Sequence, residues 1–207
     1  MKKWLFLLSL ICSVSVFSQT TVRIGVGATV SSMTANLKYD IMNDRIVTFN
    51  LSAATDYLQR KYFYLSSEFK YLRMGGDDRE LYFLNSHGEQ QKGLSDPESW
   101  NYLQLNTKFR ARLPLGNYAF YVGVGPHINL LVGDRRFTNI PDVFDGQARR
   151  FLWGEIFEAG VTYIYNTVLF DLNASYQLNN SSIARTSLYT FDSRGVWGIN
   201  VSAGYVF

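Results

Sequence analysis

The chain ends on a run in which Trp197, Ile199, Val201, Ala203, Tyr205 and Phe207 alternate with Gly198, Asn200, Ser202, Gly204 and Val206. Successive side chains of a β-strand point to opposite faces, so this period of two builds one apolar face and one small or polar face. Aromatic residues hold the last and third-last positions, beside the terminal carboxylate. A soluble sheet seldom ends this way, and the same alternation recurs through most of the sequence.

Seven further segments repeat it. Val22, Ile24, Val26, Ala28 and Val30 oppose Thr21, Arg23, Gly25, Gly27 and Thr29; Val47, Phe49, Leu51, Ala53 and Tyr57 oppose Asn50, Ser52, Ala54 and Asp56. Phe63, Leu65, Phe69 and Tyr71 oppose Tyr64, Ser66, Glu68 and Lys70, and Leu103 through Leu113 alternate with Tyr102, Gln104, Asn106, Lys108, Arg110 and Arg112. The remaining three carry Phe120 to Leu130, Phe157 to Tyr163, and Val168 to Leu178 on their apolar faces. Connections alternate by parity. Those at 31–44, 74–98, 133–149 and 179–194 are long and polar, whereas 59–61, 114–117 and the vicinity of Asn166 leave room only for turns. Long loops on one rim and short turns on the other predict an all-β fold, an eight-stranded antiparallel up-and-down transmembrane β-barrel. A β-sandwich need not sort its loops by parity. A ten-stranded barrel, with a second-loop hairpin through Leu81 and Phe83, is the wider alternative.

Lys2 and Lys3, the apolar run Trp4 to Cys12 and small residues near Ser18 predict a secretory signal peptide over residues 1–18, leaving 19–207 as one barrel domain. The run is too short for a spanning helix, which needs about 20 apolar residues. Cys12 is the sole cysteine, so no disulfide or thiolate metal site is expected, and Ile11 before it is a poor lipoprotein signal. Loss of the two leader lysines lowers the formal charge from +3 to +1. Near-neutrality implies no nucleic-acid partner.

The inward phase gathers Asp56, Glu68, Lys70, Lys108, Arg110, Arg112, Glu158 and Asp171. Eight strands enclose a lumen that side chains fill, so these groups are expected to form an ion-paired polar core. The competing expectation is a narrow channel in which Lys108, Arg110 and Arg112 favour anions, with Glu158 and Asp171 compensating. Neither His127, on a strand without an alternate serine, nor His87, beside Ser86 in a loop, makes a catalytic dyad, and no metal or cofactor motif is present. Outward Tyr57, Phe63, Tyr163, Tyr205 and Phe207 are expected to form one aromatic girdle, and Tyr71, Trp153, Tyr176 and Trp197 the other. Glu155 falls on the lipid-facing phase, which places it above the hydrocarbon or beside a bulge. Apolar loop residues at 80–84, Phe137, Ile140, Pro141, Val143 and Phe144 suit loops folded back as a plug, or a ligand surface; Arg135-Arg136 and Arg149-Arg150 suit contact with lipopolysaccharide phosphates.

These stretches resemble the small outer-membrane β-barrel domain proteins of Gram-negative bacteria, PorT-like barrels among them. The likeness rests on Phe49 through Tyr57, Glu68-Phe69-Lys70-Tyr71, Tyr102 through Pro114, Tyr121 to Gly125 and Gly204-Tyr205-Val206-Phe207. It implies outer-membrane location, lipid and lipopolysaccharide as neighbours, and assembly by the barrel-assembly machinery, with Trp197, Ile199, Val201, Tyr205 and Phe207 as the C-terminal signal. It implies no shared active site. The role expected is structural or surface-interacting, with a porin-like channel, a secretion accessory subunit and a lipid-modifying enzyme as the alternatives.

Overall fold

The computed structural model describes residues 20–35, 44–77, 82–84, 90–92, 97–136, 147–185, 190–193 and 195–207. Residues 1–18, expected to be a leader, the second-loop residues Glu80, Leu81 and His87, and the third-loop residues Phe137, Ile140, Pro141, Val143 and Phe144 lie outside them. In chain order the strands are β1 (Thr21–Ser31), β2 (Thr34–Ala35), β3 (Ile46–Tyr57), β4 (Phe63–Gly76), β5 (Tyr82–Leu84), β6 (Gln90–Lys92) and β7 (Glu98–Leu115). There follow β8 (Tyr118–Val132), β9 (Gln147–Ala148), β10 (Phe151–Tyr165), β11 (Val168–Asn179), β12 (Ala184–Arg185), β13 (Thr190–Asp192) and β14 (Val196–Val206).

Eight of them close into a barrel in the order β1-β14-β11-β10-β8-β7-β4-β3, every neighbour antiparallel. The first and last strands pair along their whole length, from Thr21 opposite Val206 to Ser31 opposite Val196. Closure leaves no edge whose backbone groups would face hydrocarbon unpaired. The barrel holds eight strands and not ten. The second-loop hairpin does form, but β5 and β6 pair only with each other, outside the barrel.

The ladder spirals. From Arg112 it passes through Tyr121, Gly160, Asn173, Asn200, Gly27 and Asn50 to reach β4 at Leu72, although the Arg112 N–H binds the carbonyl of Tyr62 on the same side of β4. The offset from 62 to 72 tilts the strands by about 45° to the axis. The turn rim is tight. Gly116 (φ 62°) and Asn166 (φ 55°) adopt the left-handed backbone that two-residue hairpins need, and Leu58 does so at φ 50°.

Burial follows the two-residue period. Along β14, Trp197, Ile199 and Val201 are exposed while Gly198, Asn200 and Ser202 are buried. Ile24, Val47 and Ile199 expose 70, 71 and 60 % of their surface, the inverse of a soluble protein. An apolar exterior this continuous needs acyl chains against it. Aromatic rings pair along its rims: Tyr118 with Tyr163 (4.8 Å) and Tyr205 with Phe207 (4.9 Å) toward the turns, and Tyr176 with Trp197 (4.6 Å) toward the loops.

Above the loop rim, pieces of the first, third and fourth loops form a four-stranded sheet, β2-β13-β12-β9. β4 and β7 rise to meet it, reaching Gly76 and starting at Glu98. An arginine at the middle of the lipid-facing band is expected to cost about 2–4 kcal/mol. Val201→Arg should lose that much in urea titrations of the barrel folded in lipid vesicles, and inward-facing Ser202→Thr far less.

The barrel interior and its outer lid as the candidate functional site

The lumen is filled in layers, which the strand tilt brings to common height from residues far apart in sequence. Nearest the turns, Arg23 donates to Asp56 and to Ser66 (3.0 and 3.1 Å) and also pairs with Asp171 at 3.0 Å. Tyr121 donates its hydroxyl to the other Asp171 oxygen (2.8 Å), and Asn173 donates to Asp171 Oδ1. Arg110 lies between Asp56 (3.7 Å) and Glu158, donating from Nε to the latter, with its guanidinium 4.5 Å over the Tyr121 ring. Above them Lys108 bridges Glu68 and Glu158, each at 2.7 Å, and Lys70 reaches Glu68 at 3.3 Å.

This mid-section sets four cations, Arg23, Lys70, Lys108 and Arg110, against four carboxylates, Asp56, Glu68, Glu158 and Asp171, all buried. Balance is what burial demands, since an unpaired ion in a low-dielectric interior costs several kcal/mol. Room for the long side chains comes from glycine on facing strands. A Cβ at Gly123 would sit 2.7 Å from Glu158 Oε1, and one at Gly160 would sit 2.6 Å from the Tyr121 ring.

Arg112 departs from the expectation. It shares the inward phase but stands apart from the ion-pair network, half-buried at the turn rim. There it donates to the carbonyls of Arg60 (2.7 Å) and Lys61 (3.2 Å) and to Gln59 Oε1 (3.3 Å), and covers Tyr64 at 5.3 Å. The neighbouring strand β4 begins at that height, with Phe63 opposite Ala111, so Arg112 faces the carbonyls of the turn before it where Arg110 faces carboxylates. With Asp56, Gln59, Tyr64 and Thr162 it lines a cavity of about 220 Å³ at the turn end. Arg23 is the reverse case, a network member absent from the charges expected inside. Its inward phase on the first segment, shared with Thr21 and Gly25, was the available signal.

Above the ions lies a neutral polar layer. Gln104 donates to both Asn129 and Gln177 at 2.8 Å, and His127 Nε2 meets Asn179 Oδ1 at 3.0 Å. The inward phase then turns apolar. Leu72, Met74, Trp100, Tyr102, Leu152 and Val196 from the barrel pack against Met33, Ala148, Ile183, Ala184 and Phe191 from the loops, all buried. An apolar lid therefore closes the mouth over an ion-paired and hydrogen-bonded core. The barrel half of the lid, Leu72, Met74, Trp100 and Tyr102, continues the inward phase into positions that loop lengths alone give to loops and strand ends.

On the outer wall, one ladder row is polar: Thr55 pairs with Ser67, Ser67 with Thr107, and Pro126 with Glu155. Tyr57, Ser67 and Thr107 hydroxyls link at 3.0 and 2.9 Å, satisfying each other toward the lipid. Between β7 and β8 the ladder skips from Asn106–His127 to Phe109–Val124, because Pro126 has no N–H to donate. No bulge shifts Glu155, since β10 pairs with β8 without interruption from Phe151 to Tyr163. Eight residues separate it from Tyr163, which at about 3.3 Å per residue and about 45° of tilt is roughly 20 Å, near the top of an apolar band about 25 Å tall. Both its oxygens accept from Asn180 Nδ2 (2.9 and 3.0 Å).

Among the described residues no cluster of three His, Cys, Asp or Glu side chains can hold a metal ion. No protein-family model and no curated protein sequence matches the chain. Its structure is similar to the outer membrane protein OprG of Pseudomonas aeruginosa (TM-score 0.63, 14 % identity, 92 % of this chain and 96 % of that one). It is similar also to Neisserial surface protein A (0.55, 9 %, 91 and 97 %) and to the N-terminal β-barrel domain of Pseudomonas aeruginosa OprF (0.51, 10 %, 92 and 99 %). The fold is that of the small eight-stranded outer-membrane β-barrels, and the bare apolar wall agrees with it.

Lys108→Met removes the cation shared by Glu68 and Glu158, and is expected to destabilise the barrel by about 3–5 kcal/mol. Lys108→Met combined with Glu158→Gln should recover part of that in the same urea titration. In the lid, Leu152→Ala is expected to cost about 2–5 kcal/mol. Hydrogen exchange should then quicken first in β9, β12 and β13, with the ionic mid-section still protected.

Proposed function

We propose that this protein is an exported outer-membrane barrel with a structural or surface-interaction role. A closed, salt-linked interior serves it as a rigid pedestal for an ordered outer surface. One observation carries the reading: the lumen is filled from the Arg23–Asp56 layer through Gln104 to the apolar lid at Leu152 and Phe191, by groups already bonded to each other. Passage of a solute would require breaking buried ion pairs and opening a packed core together. Rigid walls that carry long loops suit a display role, because loop sequence can change without disturbing the barrel.

Residues 1–18 act in this reading as the export leader, and the terminal strand, with Trp197, Ile199, Val201, Tyr205 and Phe207 outward, as the feature met by the barrel-assembly machinery. The narrower likeness to PorT-like barrels, and with it a place beside a secretion machine, rests on the sequence stretches alone. No catalytic role is assigned: His127 is buried and engaged by Asn179, with Asn106 opposite it on β7.

Purified barrel inserted in planar bilayers is expected to give no steady openings. Steady unitary conductance from the unmodified protein would overturn the closed-pedestal reading in favour of a channel, and its anion selectivity would then point to Lys108 and Arg110.

A further inference from the structure

Inside the barrel every arginine and lysine of the ionic mid-section meets a carboxylate. At the base of the third loop the opposite holds. Arg135 and Arg136 follow β8, and Arg149 and Arg150 precede β10 on the returning limb of the same stem. The two limbs are tied by the Arg136–Gln147 bridge and by hydrogen bonds from Ala148 N to Arg135 O (2.7 Å) and from Leu131 N to Arg150 O (2.8 Å). The Arg136, Arg149 and Arg150 side chains are exposed, and Arg135 is half-buried, its Nε donating to Ala148 O at 2.9 Å. Among the described residues no carboxylate ion-pairs with any of the four.

The acid that precedes Arg135 in the chain, Asp134, caps the turn. Its Oδ1 accepts the backbone N–H groups of Arg135 (2.6 Å) and Arg136 (3.1 Å). Those two donors, with a smaller contribution from the Arg136 charge, hold the carboxyl below its ordinary range, so it stays ionised as a turn cap whose hydrogen bonds go to backbone and not to a guanidinium. Directly beneath the arginines the wall is apolar and bare: Leu130, Val132, Phe151 and Trp153 expose 54, 43, 51 and 50 % of their surface. Four guanidiniums thus lie one step above the aromatic rim, at the height where hydrocarbon gives way to headgroups.

We propose that Arg135, Arg136, Arg149 and Arg150 form a docking surface for the phosphates of a bisphosphorylated outer-leaflet glycolipid, whose acyl chains lie on Phe151 and Trp153. The proposal rests on the reading of the protein as an outer-membrane barrel and names a partner for its rim. Guanidinium forks match phosphate oxygens bidentately, and a dianion at each phosphate answers two arginines. A lipid is the fitting source because charge and grease are adjacent: a free anion would use only the arginines, and a neutral lipid only the rings.

The test uses the full barrel in detergent micelles. Bisphosphoryl, monophosphoryl and dephosphorylated lipid A are titrated in, and native mass spectrometry reads the bound lipid. Affinity is expected to fall about tenfold for each phosphate removed, and about tenfold for each guanidinium replaced in Arg136→Gln and Arg150→Gln. The turn-rim control Arg60→Gln with Lys61→Gln should bind as the parent does, and inorganic phosphate at matched concentration should not compete. Equal affinity for dephosphorylated lipid, or unchanged binding by the R136Q/R149Q/R150Q variant, would overturn the proposal, as would full competition by inorganic phosphate. Failure of the barrel reading shows separately, as an unmodified protein that stays soluble without detergent and gives no heat-modifiable gel band before any lipid is added.

Discussion

Every peptide group that crosses hydrocarbon must find its partner within the protein, and pairing of β1 with β14 is what makes this possible. Once that seam closes, the barrel has an inside and an outside with no edge between them. The outside must then be apolar without interruption, because no other surface remains to meet the acyl chains. The exceptions are managed locally. Ser67, Thr107 and Tyr57 bond one another, and Glu155 stands near the interface with Asn180.

The inside follows from the same closure. Eight strands tilted by about 45° enclose space for side chains and little else, and those that fill it here are long and charged. Desolvation makes each ion a liability on its own, which is why Arg23, Lys70, Lys108 and Arg110 are matched by Asp56, Glu68, Glu158 and Asp171. The bare positions Gly123 and Gly160 belong to the same arrangement, since the volume they vacate is occupied by Glu158 and Tyr121. An apolar lid then completes the plug at the loop end, where water would otherwise enter and compete for every pair. The charges of the mid-section are answered within the wall, while among the described residues the third-loop arginines ion-pair with no carboxylate.

Much of this was legible from one sequence. Alternation from Phe63 to Lys70, from Leu103 to Arg112 and from Val168 to Leu178 marked strands and their inward faces, and the parity of loop lengths marked the two rims. The register of the ladder was not legible. A period of two states which wall a side chain faces and says nothing of its height, so Arg110 and Arg112 looked equivalent although one meets Glu158 and the other a turn carbonyl. Arg23 could not be matched to its partners because Asp56 and Asp171 belong to distant strands. The lid stayed hidden because its halves come from the tops of strands and from three separate loops, each too short to show a period.

The sequence by itself determined that this chain is a set of amphipathic strands joined alternately by turns and loops, ending in a strand able to seal the ring, because alternating polarity is a local property of the chain. Tertiary structure alone decided which residues share a layer. It kept the second-loop hairpin out of the barrel, paired the charges, set Arg112 at the rim and drew the loops into a lid. Those outcomes depend on the offset from 62 to 72 accumulated around the closed ladder, and an offset of that kind exists only once the last strand has met the first.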